Sequence, residues 1–489
     1  MARVLVDLCL GHKKFGFSGI PQDTRLLFNG LLKSPILDVE GLLWSNNDTW
    51  KFGDLTKLDS QANFISSHMY GKLNIDFSIL DRILRRISPY LGTTKELFFD
   101  GIKKNYGLYD IDKNLIPIIW RQVFSGTIPV SDMERIVNAN YKLTDLTYIR
   151  ANLPLVSKKS GVLFSKPHIK ADTFDFVIFQ DARYISLPSK VKKIIRYHDG
   201  LPVLSADTMM NARQTKIHYE SVLKASNDNS IFVCNSTSSL EDLSIISPKA
   251  ARNAVVIPYF LPKMEPISDV KPEVLESIFK SRVSSAVPIN DSKLKANMDG
   301  LFNSGVKPRF IMSLATIEPR KNYIGLIDAW QKYRLETGDD IKLVIVGSPG
   351  WEFGGILSKM KPYVESGELI HLEKVAQHEL PYLYSSAHCF IFPSFGEGFG
   401  LPPSEAMQCG CPVAMSDIPA HRYSAGKGAI YFEPYDTDDI VAKLKALCSD
   451  SSESQRLRHE MIQLGYDNAK RYTVDAVLPQ WEELFEKNM

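Results

Sequence analysis

No stretch of this 489-residue chain approaches the roughly 18 uninterrupted apolar residues of a membrane-spanning helix. The opening Met1-Ala2-Arg3-Val4-Leu5-Val6-Asp7-Leu8 reads as a first β-strand rather than a signal peptide. Cysteine is scarce. Cys9, Cys234, Cys389, Cys409, Cys411 and Cys448 fall mostly inside apolar strands or at strand starts, which speaks for buried thiols in a reducing, cytoplasmic setting and against a disulfide framework. Cys409 and Cys411 lack the second pair that a zinc site needs, and no other cluster has metal-ligand spacing, so no metal or other cofactor is expected. Repeats and low-complexity tracts are missing too. The net charge is only +2, yet residues 81–170 hold 15 Lys+Arg against 8 Asp+Glu, a balance of +7. No nucleic-acid motif accompanies that excess, so nucleic acid is not expected as a partner. The basic region is either a solvated face or a docking surface for an anionic, lipid-linked acceptor or the inner face of a membrane.

From residue 307 onward, apolar strand-like runs at 310–314, 341–346, 369–372, 389–392 and 412–415 alternate with helix-like segments at 323–333, 355–363, 379–386 and 403–409. Such alternation implies a parallel, doubly wound α/β sheet. The amino half repeats it more diffusely, with strands at 4–8, 174–179, 193–197, 231–234 and 254–257 and helices at 21–32, 209–225 and 238–245. Residues 46–168 are too long for a loop and helical in places, for example 77–87. Residues 262–306, polar and punctuated by proline, read as the connection between domains, with some helix of its own. The expected division is 1–300 and 307–470, with a last helix at 471–489 packing back on the first domain.

Chemistry concentrates on one sheet edge. Glu397 and Glu405 flank a glycine-rich turn between an apolar strand and a short helix, where ligands bind in open α/β sheets and helix N–H groups attract phosphate. The loop Ala315-Thr316-Ile317-Glu318-Pro319-Arg320-Lys321-Asn322 opens on that same edge, and Arg320 and Lys321 suit a diphosphate. A third loop, Gly347-Ser348-Pro349-Gly350, follows the next strand. Singly, these are a solvated basic pair and an acid placed for a helix dipole; converging, they make a sugar-nucleotide site. In the amino half, His198 and Asp199 end a strand as an exposed polar pair, read either as a buried structural histidine or as a donor contact oriented by Asp199. The glycine-bearing loop 11–19 precedes a helix beginning near Pro21, with Ser18 as a candidate cap and Gly19 at its end.

Glu397-x7-Glu405 within Phe-Gly-Glu-Gly-Phe-Gly-Leu-Pro-Pro-Ser-Glu-Ala-Met, with Glu318-Pro319-Arg320-Lys321-Asn322, resembles the carboxyl domain of the family 4 retaining glycosyltransferases. The resemblance covers about residues 310–447 and implies a GT-B fold, two facing Rossmann-like domains with a cleft between them. It implies that Glu397 contacts the donor sugar, that Glu405 holds the ribose, and that Arg320 and Lys321 bind the donor diphosphate. Backbone amides of Gly398, Phe399 and Gly400 would lie beside sugar and phosphate. His198 would face the donor across the cleft, and the loop ending at Gly19 would lie near diphosphate and acceptor. No metal is then required. The family usually has glycine where Ala315 stands and often glutamate where Tyr423 stands. The segments around His198 and Ser348 are similar to bacterial mannosyl- and rhamnosyltransferases of surface-polysaccharide assembly. That implies a nucleotide-sugar donor, GDP-mannose first, and a saccharide or lipid-linked acceptor.

Overall fold

The computed structural model describes residues 1–11, 19–45, 54–69, 105–147, 151, 166–205, 212–303 and 305–489. Ser18 and the helix expected at 77–87 lie outside these.

Among the described residues ten strands fall in the amino half: β1 (Ala2–Asp7), β2 (Leu37–Ser45), β3 (Asn105–Tyr106), β4 (Tyr109–Asp110), β5 (Asn140–Thr147), β6 (His168–Ile169), β7 (Phe176–Phe179), β8 (Lys192–Tyr197), β9 (Ile231–Cys234) and β10 (Ala254–Val256). Eight of them form one sheet in the order β10-β9-β8-β7-β1-β2-β5-β4. All neighbours are parallel except the β4–β5 pair. Strands β7 and β9 are apolar on both faces and fully buried, as parallel sheets covered by helices require. Strand order reverses between β1 and β7: the chain leaves β1 for β2 on one side and β7 for β8 on the other.

The carboxyl half holds β11 (Phe310–Leu314), β12 (Lys342–Val346), β13 (Leu369–Leu372), β14 (Phe390–Phe392), β15 (Val413–Ser416) and β16 (Ala429–Phe432), all parallel, in the order β13-β12-β11-β14-β15-β16. Its order reverses between β11 and β14, so the loops after these two strands flank the crevice where such sheets bind ligands. The segment 262–306 does more than connect. Helices Pro272–Arg282 and Asp291–Phe302 insert Leu275, Ile278, Phe279, Met298 and Phe302 into the core of the second domain.

The last helix, Val474–Asn488, buries Val477, Trp481, Leu484 and Phe485 in the core of the first domain. Ser34 donates to Glu482 at 2.6 Å at that seam. The chain therefore passes between domains twice, near Tyr259–Leu261 and near Tyr472, and the two passages are joined: the Leu261 amide donates to the Tyr472 carbonyl at 2.9 Å. All six cysteines are buried, and none is joined to another in a disulfide. Among the described residues no helix is long and apolar enough to cross a membrane.

Candidate active site

After β11 the chain turns through a short 3-10 segment, Pro319–Lys321, which proline opens. Asn322 ends it in the left-handed region at φ 53° and caps helix Tyr323–Thr337, its side chain accepting from the Gly325 amide. This tight corner throws Arg320 and Lys321 towards the loop after β14. There Arg320 donates to the Gly396 carbonyl at 2.5 Å and pairs with Glu397 at 3.0 Å and Glu318 at 2.8 Å. Lys321 pairs with the other oxygen of Glu397. Burial alone would raise the Glu397 carboxyl, but the two cations overcome it and hold the group well below the usual carboxylate range. Burial and the Arg320 charge together lower the Lys321 ammonium, against the pull of Glu397.

Beyond Glu397 the backbone reaches Gly400 at φ 90°, which starts helix Leu401–Gln408, with Pro402 and Pro403 in its first turn. Among the described residues, the amides of Gly398, Phe399 and Gly400 donate to no protein atom. That leaves three N–H groups at a helix N-terminus beside the two cations, the arrangement an anion seeks. Glu405 sits further along this helix, apart from Arg320 and Lys321. Its partners are neutral: Gln22 donates at 2.6 Å from the first domain and Tyr384 at 3.2 Å. Burial accordingly raises its carboxyl, opposed by these hydrogen bonds.

The first domain meets this loop directly. A side chain at Gly398 would place its Cβ 2.1 Å from the His198 carbonyl oxygen, so only glycine permits the approach. Ser236 donates to the Gly398 carbonyl at 2.8 Å, and the Phe399 ring packs on Tyr259 and Tyr472 with centroids 5.0 and 5.1 Å apart. His198 is buried, with both ring nitrogens engaged: one donates to the Gln180 carbonyl at 2.8 Å, and the other accepts from the Tyr259 hydroxyl at 2.7 Å. Burial and the nearby Arg196 charge push it down to about 3, so the ring is neutral. Asp199 does not orient that ring, contrary to expectation. Its carboxylate accepts from the Leu201 amide at 3.1 Å, capping a short helix, while Gln180 and Tyr259 fix the histidine. Burial raises the Asp199 carboxyl, partly offset by Arg320, which places it within electrostatic reach of the cationic pair.

Two expected contributors lie at the margin. Ser348 is exposed and offers its carbonyl to the Ile317 amide at 3.0 Å, tying the third loop to the first. Gly347 there abuts the Ala315 carbonyl at 1.9 Å from a would-be Cβ. Gly19 is exposed, left-handed at φ 64°, and begins helix Ile20–Leu31. Tyr423, where relatives often carry glutamate, packs edge-on against Phe399. Two residues escaped the sequence reading. Gln22 reaches Glu405 across 383 positions. His421 is fully buried; its Nδ1–H donates to the Ser416 carbonyl at 2.9 Å, and its Nε2, beside Gly400, meets no partner among the described residues. Burial pushes it down to about 4 against the pull of Glu397, leaving Nε2 a bare acceptor. Only its place in the stretch after β15, which opens on the same edge, could have signalled it. Among the described residues no three His, Cys, Asp or Glu side chains gather for a metal ion.

The sequence family described as glycosyl transferases group 1 matches residues 300–467. Over 171 residues the chain is 33% identical to O-antigen chain mannosyltransferase B of Escherichia coli, covering 34% of this chain and 45% of that protein. Over 199 residues it is 27% identical to O-antigen chain mannosyltransferase RfbU of Salmonella typhimurium, covering 40% and 55%. The chain thus spans about half the length of these curated relatives. In fold, sucrose-phosphate synthase from Thermosynechococcus elongatus superposes with a TM-score of 0.56 over 100% of this chain and 99% of that one, at 10% identity. The architecture is GT-B.

Proposed function

Because residues 300–467 form a group 1 glycosyl transferase domain within a GT-B fold, we propose that the protein moves a mannosyl residue from GDP-mannose to a saccharide or lipid-linked saccharide, with retention, in surface-polysaccharide assembly. The observation that carries this is the junction of Arg320, Lys321 and Glu397 with three undonated amides at the switch point of the second sheet. The kinship to O-antigen mannosyltransferases supports the choice of sugar.

Cleaving the anomeric bond to a diphosphate leaves negative charge on the departing phosphate. Arg320, Lys321 and the amides of 398–400 are fixed before reaction, so they stabilise that charge without reorganising; losing one such donor typically raises a barrier by about 2.7–4 kcal/mol. Glu397, ionised throughout the physiological range, accepts from hydroxyls of the transferred sugar, and neutral His421 adds a second acceptor beside it. Glu405, held by Gln22 from the first domain, takes the ribose hydroxyls. Retention follows if the leaving phosphate removes the acceptor's proton on the same face. The enzyme works in the cytoplasm and touches the inner membrane face through the basic region 81–170.

Calorimetry with GDP and UDP, followed by turnover of GDP-mannose and UDP-glucose, tests the assignment. GDP binding that Arg320→Ala weakens by roughly tenfold or more, with mannosyl transfer, is the expected result. Preference for UDP would move the donor elsewhere within the same chemistry, and neither nucleotide binding would end it.

A further inference from the structure

The proposed donor chemistry leaves one crevice unused. The first sheet reverses its strand order between β1 and β7, and the carboxyl ends flanking such a reversal bound a ligand crevice. Asp7 ends β1, Gln180 and Asp181 follow β7, and Tyr197 ends β8. Asp7, Gln180 and Tyr197 are almost wholly removed from solvent. One oxygen of Asp7 is fully used, accepting from the Trp44 indole at 2.6 Å and the Cys9 amide at 2.9 Å, but among the described residues its other oxygen has no partner. Both ends of the Gln180 amide, the Tyr197 hydroxyl and Nε2 of His218 are likewise without partners. His218 packs on Tyr197 with centroids 5.8 Å apart. Four of these five atoms lie at strand ends of one sheet edge and the fifth on the helix packed against Tyr197, and each buried orphan costs about 1–3 kcal/mol.

Charge narrows the ligand class. Asp7 and Asp181 face one cation, Arg183, which pairs with Asp181. Burial keeps His218 neutral at physiological pH. With no positive excess, the crevice is unsuited to phosphate. The unmet atoms mix acceptors (carboxylate, amide oxygen, imidazole nitrogen) with donors (amide N–H, phenol O–H), which complements neighbouring hydroxyls, each both donor and acceptor. The crevice also adjoins the transfer site, because Tyr197 precedes His198, whose carbonyl abuts Gly398.

We propose that Asp7, Gln180, Tyr197 and His218 form a subsite for a neutral saccharide, hydrogen-bonding the non-reacting hydroxyls of the acceptor. This rests on the transferase assignment above. Asp7→Asn keeps the oxygen that serves Trp44 and Cys9, replaces the orphan one with an amide N–H and removes the charge that faces Arg183; Tyr197→Phe removes only the orphan hydroxyl. Methyl α-mannobioside is the probe, read by saturation-transfer NMR, alongside GDP calorimetry and the unfolding midpoint. The subsite predicts that the wild type binds the probe, that each variant binds it at least roughly tenfold more weakly, that GDP affinity stays unchanged in both, and that the midpoint of Tyr197→Phe stays unchanged. Variants that bind the probe as well as the wild type would show that ordinary buried water fills the crevice. A wild type that binds GDP but not the probe would overturn the subsite while leaving the donor chemistry standing. Failure to bind GDP would overturn both.

Discussion

Glu397 is an anion held between two cations with little water around it, so neutralising it has two separable effects. Glu397→Gln leaves Lys321 buried without its counter-charge and Arg320 with Glu318 alone. A stability loss of about 3–5 kcal/mol is expected in chemical denaturation, together with loss of transfer in a chromatographic assay. Acid sensitivity follows from the histidines. His421 and His198 titrate near 4 and 3 when folded against an ordinary value of 6.5. Between those values the unfolded chain binds protons that the folded one refuses, so stability is complete above about pH 6.5 and falls as pH drops, by up to about 1.4 kcal/mol per unit per histidine. His218, His371 and His388 are lowered too and act with the same sign. Melting temperatures between pH 7 and 5 should fall steeply, and His421→Gln should flatten the slope. Arg320, Lys321 and Glu397 were legible because each lies in a short motif at the end of an apolar strand. Gln22 was not, because its partner is fixed only when two domains meet, and no local pattern encodes that.

At the scale of elements, the unit from β14 through helix Leu401–Gln408 works by letting backbone meet backbone. Gly398→Ala would drive a methyl into the His198 carbonyl. Each domain should keep its fold by circular dichroism while transfer falls at least roughly tenfold, because catalytic groups displaced by even 1 Å lose much of their effect. Wild-type turnover in this variant would mean that the two loops need not touch. The strands β11 to β15 could be read from sequence because burial on both faces makes them continuously apolar. By contrast, β2 was not recognised: it carries Glu40 at its centre, which reads as polar, yet Arg3 at 2.9 Å and Lys142 at 3.6 Å neutralise it in place. Nor was β5, whose Lys142 and Asp145 interrupt the apolar alternation. Some helix is expected within 262–306, but the bounds of Pro272–Arg282 are not legible, for a related reason: three buried apolar residues among charged ones suffice to dock it.

At the scale of the molecule, the terminal helix belongs to the domain that the chain left more than 200 residues earlier. Trp481 is completely buried there, beside Phe485 and under the Arg196 guanidinium. Trp481→Ala should lower stability by about 3–5 kcal/mol and, if the helix detaches, expose the apolar face that covers Phe176. Urea titration followed by circular dichroism measures the first effect and dye binding the second. The bond from Leu261 to Tyr472 adds a mechanical corollary. Two covalent straps fastened to each other at one spot act as a single pivot, so any swing between the halves must turn about that line. Groups beside it, such as Tyr259 against Phe399, then travel least, and displacement grows with distance from the pivot.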